Sequence, residues 1–495
     1  MPDDAKEPSA DSKDGGDPKK PPPEERRSVT RHAVEIGGER VEYTATAGTL
    51  FLRDDEDEPR ASVFYVAYTR DGVDPATRPI TFAFNGGPGS SAVWLQLGAL
   101  GPRRADVPDA EPSPPPPHRL VDNEQSILDV TDLVFVDPVG TGYSRPLGET
   151  KAKEFHGVEE DVKSVGEFVR RFMSRHSRWN SPRFLAGESY GATRAAALSA
   201  HLAAEGLMVN GVVLLSPALT FQTLVFETGN DLPHVLYLPG FAVTAAYHGA
   251  LEDEPSDLPS FLDEVERFAL EEYAPALLAG ASLPEDRRQQ MASKLAAYTG
   301  IDAALWLRYD LRIDLARFCR ELLRDSDEVV GRLDARFRGI LAHVNDDPGE
   351  HDPSLHYPYG PYAALINDYL RRELGYEEER KYEVISFQVN EAWQWRRAEK
   401  PSEPFGYINV APELRRAMVQ NPHLLVFFAN GLYDLATPYF ASMHTARHLG
   451  REPQIRRNVH EAFYEAGHMM YLHEPSRQKL RADLLRFYGE AAPPR

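Results

Sequence analysis

The chain has 495 residues, with 55 Lys and Arg against 76 Asp and Glu, a formal net charge of −21. A hydrophobic share of 42% supports a large core and excludes wholesale disorder. The acidity argues against nucleic acid and anionic membrane surfaces as partners, and the single cysteine, Cys319, excludes an intrachain disulfide and a cysteine-rich metal site.

Residues 1–27 are charged and proline-rich without an apolar run, which predicts a disordered tail. No signal-like apolar stretch follows the start, and no run of about 18 apolar residues occurs. The expected address is therefore cytoplasmic, with no membrane association; a trimmed signal peptide or misassigned start would make it secreted or periplasmic. Next come strand-forming runs at Val41–Thr46 and Ala61–Tyr68, parted by the acidic turn Asp54–Glu58. The short apolar runs Pro79–Phe84 and Leu133–Val136 each end in a glycine-bearing loop, as buried strands do. Val162, Val165, Phe168, Val169 and Phe172 recur at helical spacing and predict an amphipathic helix over Val158–His176. A strand at Arg183–Ala186, a helix at Thr193–Ala204 and a strand at Val212–Leu215 continue the alternation, which predicts a parallel sheet with helices on both faces.

The alternation lapses after Leu219. Residues 220–405 read as mostly helical, clearest at Phe261–Leu278 and Pro284–Tyr298. It resumes with a strand at Leu424–Phe428, a helix at Met443–Leu449, a strand at Asn458–Tyr464 and a closing helix at Ser476–Tyr488. The expected organisation is one α/β domain in two parts, 28–219 and 406–495, interrupted by a helical cap over 220–405.

Gly187-Glu188-Ser189-Tyr190-Gly191 lies between a predicted strand and a predicted helix, the setting of a G-x-S-x-G nucleophile elbow. A serine hydroxyl needs a base to take its proton and an acid to orient that base. In α/β-hydrolases these follow the serine in the order Asp, then His. Asp434 falls in the loop after the Leu424–Phe428 strand and His468 in the loop after the Asn458–Tyr464 strand. His444, His448, His460 and His473 are rivals, the first three on regular elements, and Asp483 is a rival to Asp434. An oxyanion hole would come from the N–H of Tyr190 and the glycine loop Asn85–Gly89, each donor typically worth ~3 kcal/mol.

At these residues the chain resembles the serine carboxypeptidases of the S10 peptidase family. The matching blocks are Asn85–Ser91 (NGGPGSS), Asp137–Ser144 (DPVGTGYS), Gly187–Gly191 (GESYG), Gly431–Asp434 (GLYD) and Gly467–Met469 (GHM). The resemblance implies an α/β-hydrolase core with a helical cap and stepwise removal of residues from peptide C-termini. It assigns the triad Ser189, Asp434 and His468, with Gly87 and Tyr190 as oxyanion donors. It assigns Asn85, Gly86 and Glu188 to the substrate carboxylate and Met469 to the leaving-residue pocket. Glu188, facing that carboxylate, would have a raised pKa and, protonated, donate a hydrogen bond to it. The chain departs from the family at Ala99, where a second glutamate is expected, and at Ser90, where a half-cystine is common. A peptide substrate is the expected partner; no metal spacing and no phosphate loop is visible, so no cofactor is expected. Tyr237, Phe241, Tyr247, Trp306, Tyr357, Tyr359, Trp393 and Trp395 are candidates for a side-chain pocket, though cap core is the commoner fate of such residues. Two other readings stand beside the carboxypeptidase: an esterase or acyltransferase on the same machinery, which Ala99 motivates, and an inactive binding protein.

Overall fold

The computed structural model describes residues 23–343, 351–395 and 406–493. Most of the expected tail, and parts of the expected cap at 344–350 and 396–405, lie outside the described residues. Nine strands form the main sheet: β1 (Arg27–Ile36), β2 (Glu39–Arg53), β3 (Pro59–Arg70), β4 (Ile80–Phe84), β5 (Asp132–Val136), β6 (Arg183–Glu188), β7 (Gly211–Leu215), β8 (Leu425–Gly431) and β9 (Val459–Tyr464). Their spatial order is β1-β2-β3-β5-β4-β6-β7-β8-β9, and a short strand at Arg145–Pro146 adds to β3. The pairs from β1 to β5 are antiparallel and the rest parallel. The parallel strands β4, β5 and β7 are buried at every residue, as strands covered on both faces must be.

Side chains alternate between the two faces. Phe82, Val134, Leu185, Val212, Leu214 and Val426 point to one side, where α1 (Val158–Arg175), α2 (Tyr190–Ala204) and a helix at Ala411–Gln420 cover them. Phe135, Phe184, Ala186, Val213 and Phe427 point to the other, under the closing helix Glu474–Ala491. A third cluster is built by α3 (Leu232–Tyr247) and the helices between Leu258 and Glu321, packed on Leu432, Tyr433 and Tyr439. The helix α4 (Pro353–Arg372) falls within the span read as cap, yet Tyr362, Ile366 and Tyr369 pack with the sheet-facing cluster. Helical periodicity identifies an apolar face but not which of two cores receives it. Among the described residues, no helix is long and apolar enough to cross a membrane.

Asp132, at the start of β5, is 2% exposed and joins two buried arginines, accepting from Arg78 Nε at 2.7 Å and Arg178 Nη1 at 2.6 Å. This knot sits at the amino edge of the parallel strands, opposite the loops that follow them. Replacing Asp132 by Ala leaves two buried guanidinium groups without their carboxylate, which costs about 3–5 kcal/mol. Urea unfolding of Asp132→Ala should show that loss in full.

Candidate active site

β6 delivers its chain into a tight turn whose apex is Ser189, at φ 61° and ψ −126°. The turn leaves no room for side chains on either flank. A methyl at Gly187 would come within 2.0 Å of the Gly191 carbonyl oxygen, and one at Gly191 within 2.5 Å of the Phe84 oxygen. The helix α2 starts at Tyr190, three residues before the helix expected from sequence, because the elbow itself is its first turn. The Tyr190 N–H therefore belongs to a helix N-terminus, where no preceding turn supplies a carbonyl to accept it.

The loop after β4 is pressed against this turn. A methyl at Gly86 would lie 2.4 Å from the Tyr190 nitrogen and 2.8 Å from the Glu188 oxygen. Gly87 follows at φ 103°. Bare backbone contact sets the amides of Gly87 and Tyr190 along the same cleft wall as Ser189. Asn85 is held at three points: its Oδ1 accepts the Leu95 N–H at 3.0 Å, its Nδ2 donates to Glu188 Oε1 at 2.9 Å, and its carbonyl accepts from Arg194 Nη1 at 2.8 Å. Arg194 is 1% exposed and is neutralised by Asp161 at 2.7 Å. This buried pair, absent from the sequence reading, ties α1 and α2 to the glycine loop; its signal was an arginine on an otherwise alanine-rich helix.

Asp434 and His468 meet in the loops after β8 and β9. His468 Nδ1 lies 2.7 Å from Asp434 Oδ2. Asp434 is fully buried and accepts the N–H groups of Ala436 and Thr437 at 2.8 and 2.9 Å and the Thr437 hydroxyl at 2.7 Å. Burial works against a charged imidazolium at His468, but the Asp434 carboxylate outweighs it and the net shift is upward. Ser189 and His468 line one cleft of about 440 Å³, without a direct hydrogen bond between them. The rivals are engaged elsewhere. His444 stacks on His448, His460 pairs with Glu490, His473 contacts Ser476, and Asp483 accepts from Tyr464.

Glu188 is 4% exposed and opens on the same cleft. Burial pushes its carboxyl up to about 7, with Asp434 adding to the rise and His468, Tyr471 and Asn85 opposing it. Its Oε2 and the hydroxyls of Tyr471 and Tyr362 are all buried without a completed hydrogen bond, though each acts electrostatically on its neighbours. Gly98 is packed against the Tyr471 ring and the Tyr362 hydroxyl, where a methyl would come within 2.4 and 2.6 Å. Next to Ala99, then, two phenol hydroxyls rather than a second carboxyl stand by Glu188. Sequence reasoning passed over both tyrosines: Tyr362 lay in the presumed cap, and Tyr471 offered only its closeness to His468.

The apolar lining of the cleft includes Trp94, Leu355, Met469, Ala218, Phe221 and Leu224, with the exposed Phe387 beside them. None of the eight aromatic candidates from the cap lines it. Tyr237, Phe241 and Trp306 are buried in the cap core, and Trp393 and Trp395 pack edge-on to the Tyr190 ring.

A mostly parallel sheet, a serine elbow after β6 and Asp and His loops later in the chain define an α/β-hydrolase. Residues 39–209, about a third of the chain, match the family model of the serine carboxypeptidases, peptidase family S10. This stretch contains Asn85, Glu188 and Ser189 but ends before Asp434 and His468. Serine carboxypeptidase-like 12 of Arabidopsis thaliana is 28% identical over 153 residues, 30% of this chain and 32% of that protein. The pheromone-processing carboxypeptidase KEX1 of Saccharomyces cerevisiae is 28% identical over 156 residues, 29% of this chain and 20% of that protein. The similarity thus spans about a third or less of these relatives' length. Among solved structures, proline iminopeptidase of Mycobacterium smegmatis aligns over 90% of this chain and 98% of its own at 12% identity, with a TM-score of 0.38. The fold assignment rests on the sheet order itself.

The raised pKa of Glu188 has a consequence for stability. Below its usual value of 4.5 the carboxyl is protonated in both the folded and unfolded chain and contributes nothing. Between 4.5 and about 7 the folded chain keeps a proton that the unfolded chain releases, so stability falls as pH rises. Above that window the penalty is complete, roughly 3 kcal/mol at about 1.36 kcal/mol per unit. Glu188→Gln should therefore match the wild type in denaturant unfolding at pH 4 and exceed it by roughly that amount at pH 8.

Proposed function

We propose that the protein is a serine carboxypeptidase that works through an acyl-enzyme. The observation that carries the reading is the buried Asn85–Glu188 pair at the floor of the cleft that contains Ser189. A carboxyl whose pKa lies near 7 is neutral in mildly acidic solution, where it donates a hydrogen bond to a substrate carboxylate instead of repelling it. The second Asn85 Nδ2 hydrogen and the Gly86 N–H complete a receptor for a free C-terminus.

In this scheme the Ser189 oxygen attacks the last peptide carbonyl while His468 Nε2 takes its proton. Asp434 holds the ring through Nδ1 and stabilises the imidazolium. The oxyanion forms against the Gly87 and Tyr190 N–H groups. The C–N bond then breaks, His468 protonates the leaving amine, and the C-terminal residue departs. Water loses a proton to His468 and attacks the ester, the bond to Ser189 breaks, and the serine regains its proton. Two opposed requirements shape the pH profile: His468 must be neutral and Glu188 protonated.

Peptides incubated at pH 5 should shorten one residue at a time from the C-terminus, as read by mass spectrometry. Ser189→Ala should reduce kcat on the order of 10⁶-fold. Shortening from the N-terminus or internal cleavage, with C-termini intact, would overturn the reading. For free-acid peptides KM should climb as pH passes about 7, while esters lacking a free carboxylate show no such climb. The second reading, an esterase or acyltransferase, draws on Ala99 in place of the expected second glutamate. Efficient ester turnover with free-acid peptides left untouched would favour it.

A further inference from the structure

The cleft carries a charge that this reaction scheme leaves unused. Arg332 lines it, with its side chain 40% exposed, and among the described residues that line the cleft it is the one permanent cation. Its main chain is strapped to both catalytic loops. The Arg332 carbonyl accepts the Leu435 N–H at 3.1 Å, and the Leu333 carbonyl accepts the His468 N–H at 2.7 Å. The Asp334 carboxylate accepts the Gly467 N–H at 3.0 Å.

The guanidinium, by contrast, is scarcely held. Asp352 approaches Arg332 Nε only to 3.9 Å. Asp352 is 1% exposed and accepts the N–H groups of Arg332, Leu333 and Ser354 and the Ser354 hydroxyl. No hydrogen bond joins the Arg332 guanidinium to another described residue. An arginine fork has five donors in fixed geometry and pairs best with a carboxylate.

The site assigned to the substrate's own carboxylate is elsewhere. The charge of Arg332 acts on His468 and on the buried Tyr237 hydroxyl, whereas the charged groups acting on Glu188 are His468 and Asp434. A leaving residue has three groups to place around its α-carbon. Its amine must reach His468, and its carboxylate must reach Asn85, Gly86 and Glu188. Its side chain is left for the rest of the cleft, where Met469, Leu355 and Arg332 are among the lining residues. Leu355 and Met469 pack in one cluster, and Leu355 follows the Ser354 that is bonded to the Arg332–Asp334 strap.

Resting on the carboxypeptidase reading, we propose that Arg332 selects peptides whose C-terminal residue bears a carboxylate side chain, aspartate or glutamate. The incoming side chain takes a charge-assisted, two-pronged hydrogen bond from the guanidinium, in a cleft to which Leu355 and Met469 also contribute. A hydrogen bond of that kind distinguishes glutamate from its neutral isostere glutamine by about ten- to a hundredfold.

The test uses the full chain and four N-blocked dipeptides that share a phenylalanine and end in Glu, Gln, Leu or Lys. At pH 6 the substrate's glutamate side chain is ionised, since its usual pKa is about 4.3, while Glu188 still holds its proton. The wild type should show kcat/KM highest for Glu and lowest for Lys. In Arg332→Gln the Glu peptide should lose about ten- to a hundredfold while the Gln and Leu peptides change far less. Arg332→Lys should restore part of the preference. Equal rates on Glu and Gln in the wild type, or an equal loss on all four peptides in Arg332→Gln, would overturn the inference alone. If the wild type cleaves none of the four, the carboxypeptidase reading falls and the inference falls with it.

Discussion

Two turns touch through bare backbone, and the site depends on that contact. The elbow at Ser189 and the loop at Gly86 approach so closely that any β-carbon at Gly86, Gly187 or Gly191 would collide with main-chain atoms. Only this approach brings the Gly87 and Tyr190 amides and the serine hydroxyl to one wall of the cleft. Because β4 and β6 are neighbours in the parallel sheet, their carboxyl ends release both loops at the same level. The sheet is thus a ruler for the site, and the two sheet-facing cores keep it rigid.

Around that contact the buried polar groups form a connected frame. Arg194 and Asp161 neutralise each other, and Arg194 uses a remaining donor on the Asn85 carbonyl. Asn85 passes the constraint to Glu188, and Thr437 and two backbone amides hold Asp434 against His468. Satisfied networks of this kind specify one arrangement, since each member has no alternative partner in the dry interior. Glu188 is the exception: one oxygen is bonded and the other has no completed hydrogen bond, with the Tyr471 and Tyr362 hydroxyls acting on it electrostatically. Its burial without full compensation is what lifts its pKa.

The cap contributes walls more than chemistry. Its Tyr237, Phe241 and Trp306 fill its own core, and the cleft is lined by Phe221 and Phe387 from the same span and by Trp94. The strap at 332–335 bonds to the loops of both Asp434 and His468, so a change in the cap's seating would reach the imidazole directly.

Much of this was legible in the one-dimensional pattern. The short strand-like runs at Pro79–Phe84, Leu133–Val136, Arg183–Ala186 and Val212–Leu215 announce buried parallel strands, and strand, G-x-S-x-G and helix in succession mark the elbow. These features are local: strand burial, turn sterics and helix periodicity are settled within a few residues. What the sequence could not rank was distance between remote segments. That α4 joins the sheet-facing core, that Tyr471 and Tyr362 stand beside Glu188 where Ala99 leaves no carboxyl, that Arg194 finds Asp161, and that Arg332 enters the cleft are all outcomes of packing. Each joins residues tens to hundreds of positions apart or turns a side chain one way rather than another, and only the closed three-dimensional arrangement decides such pairings.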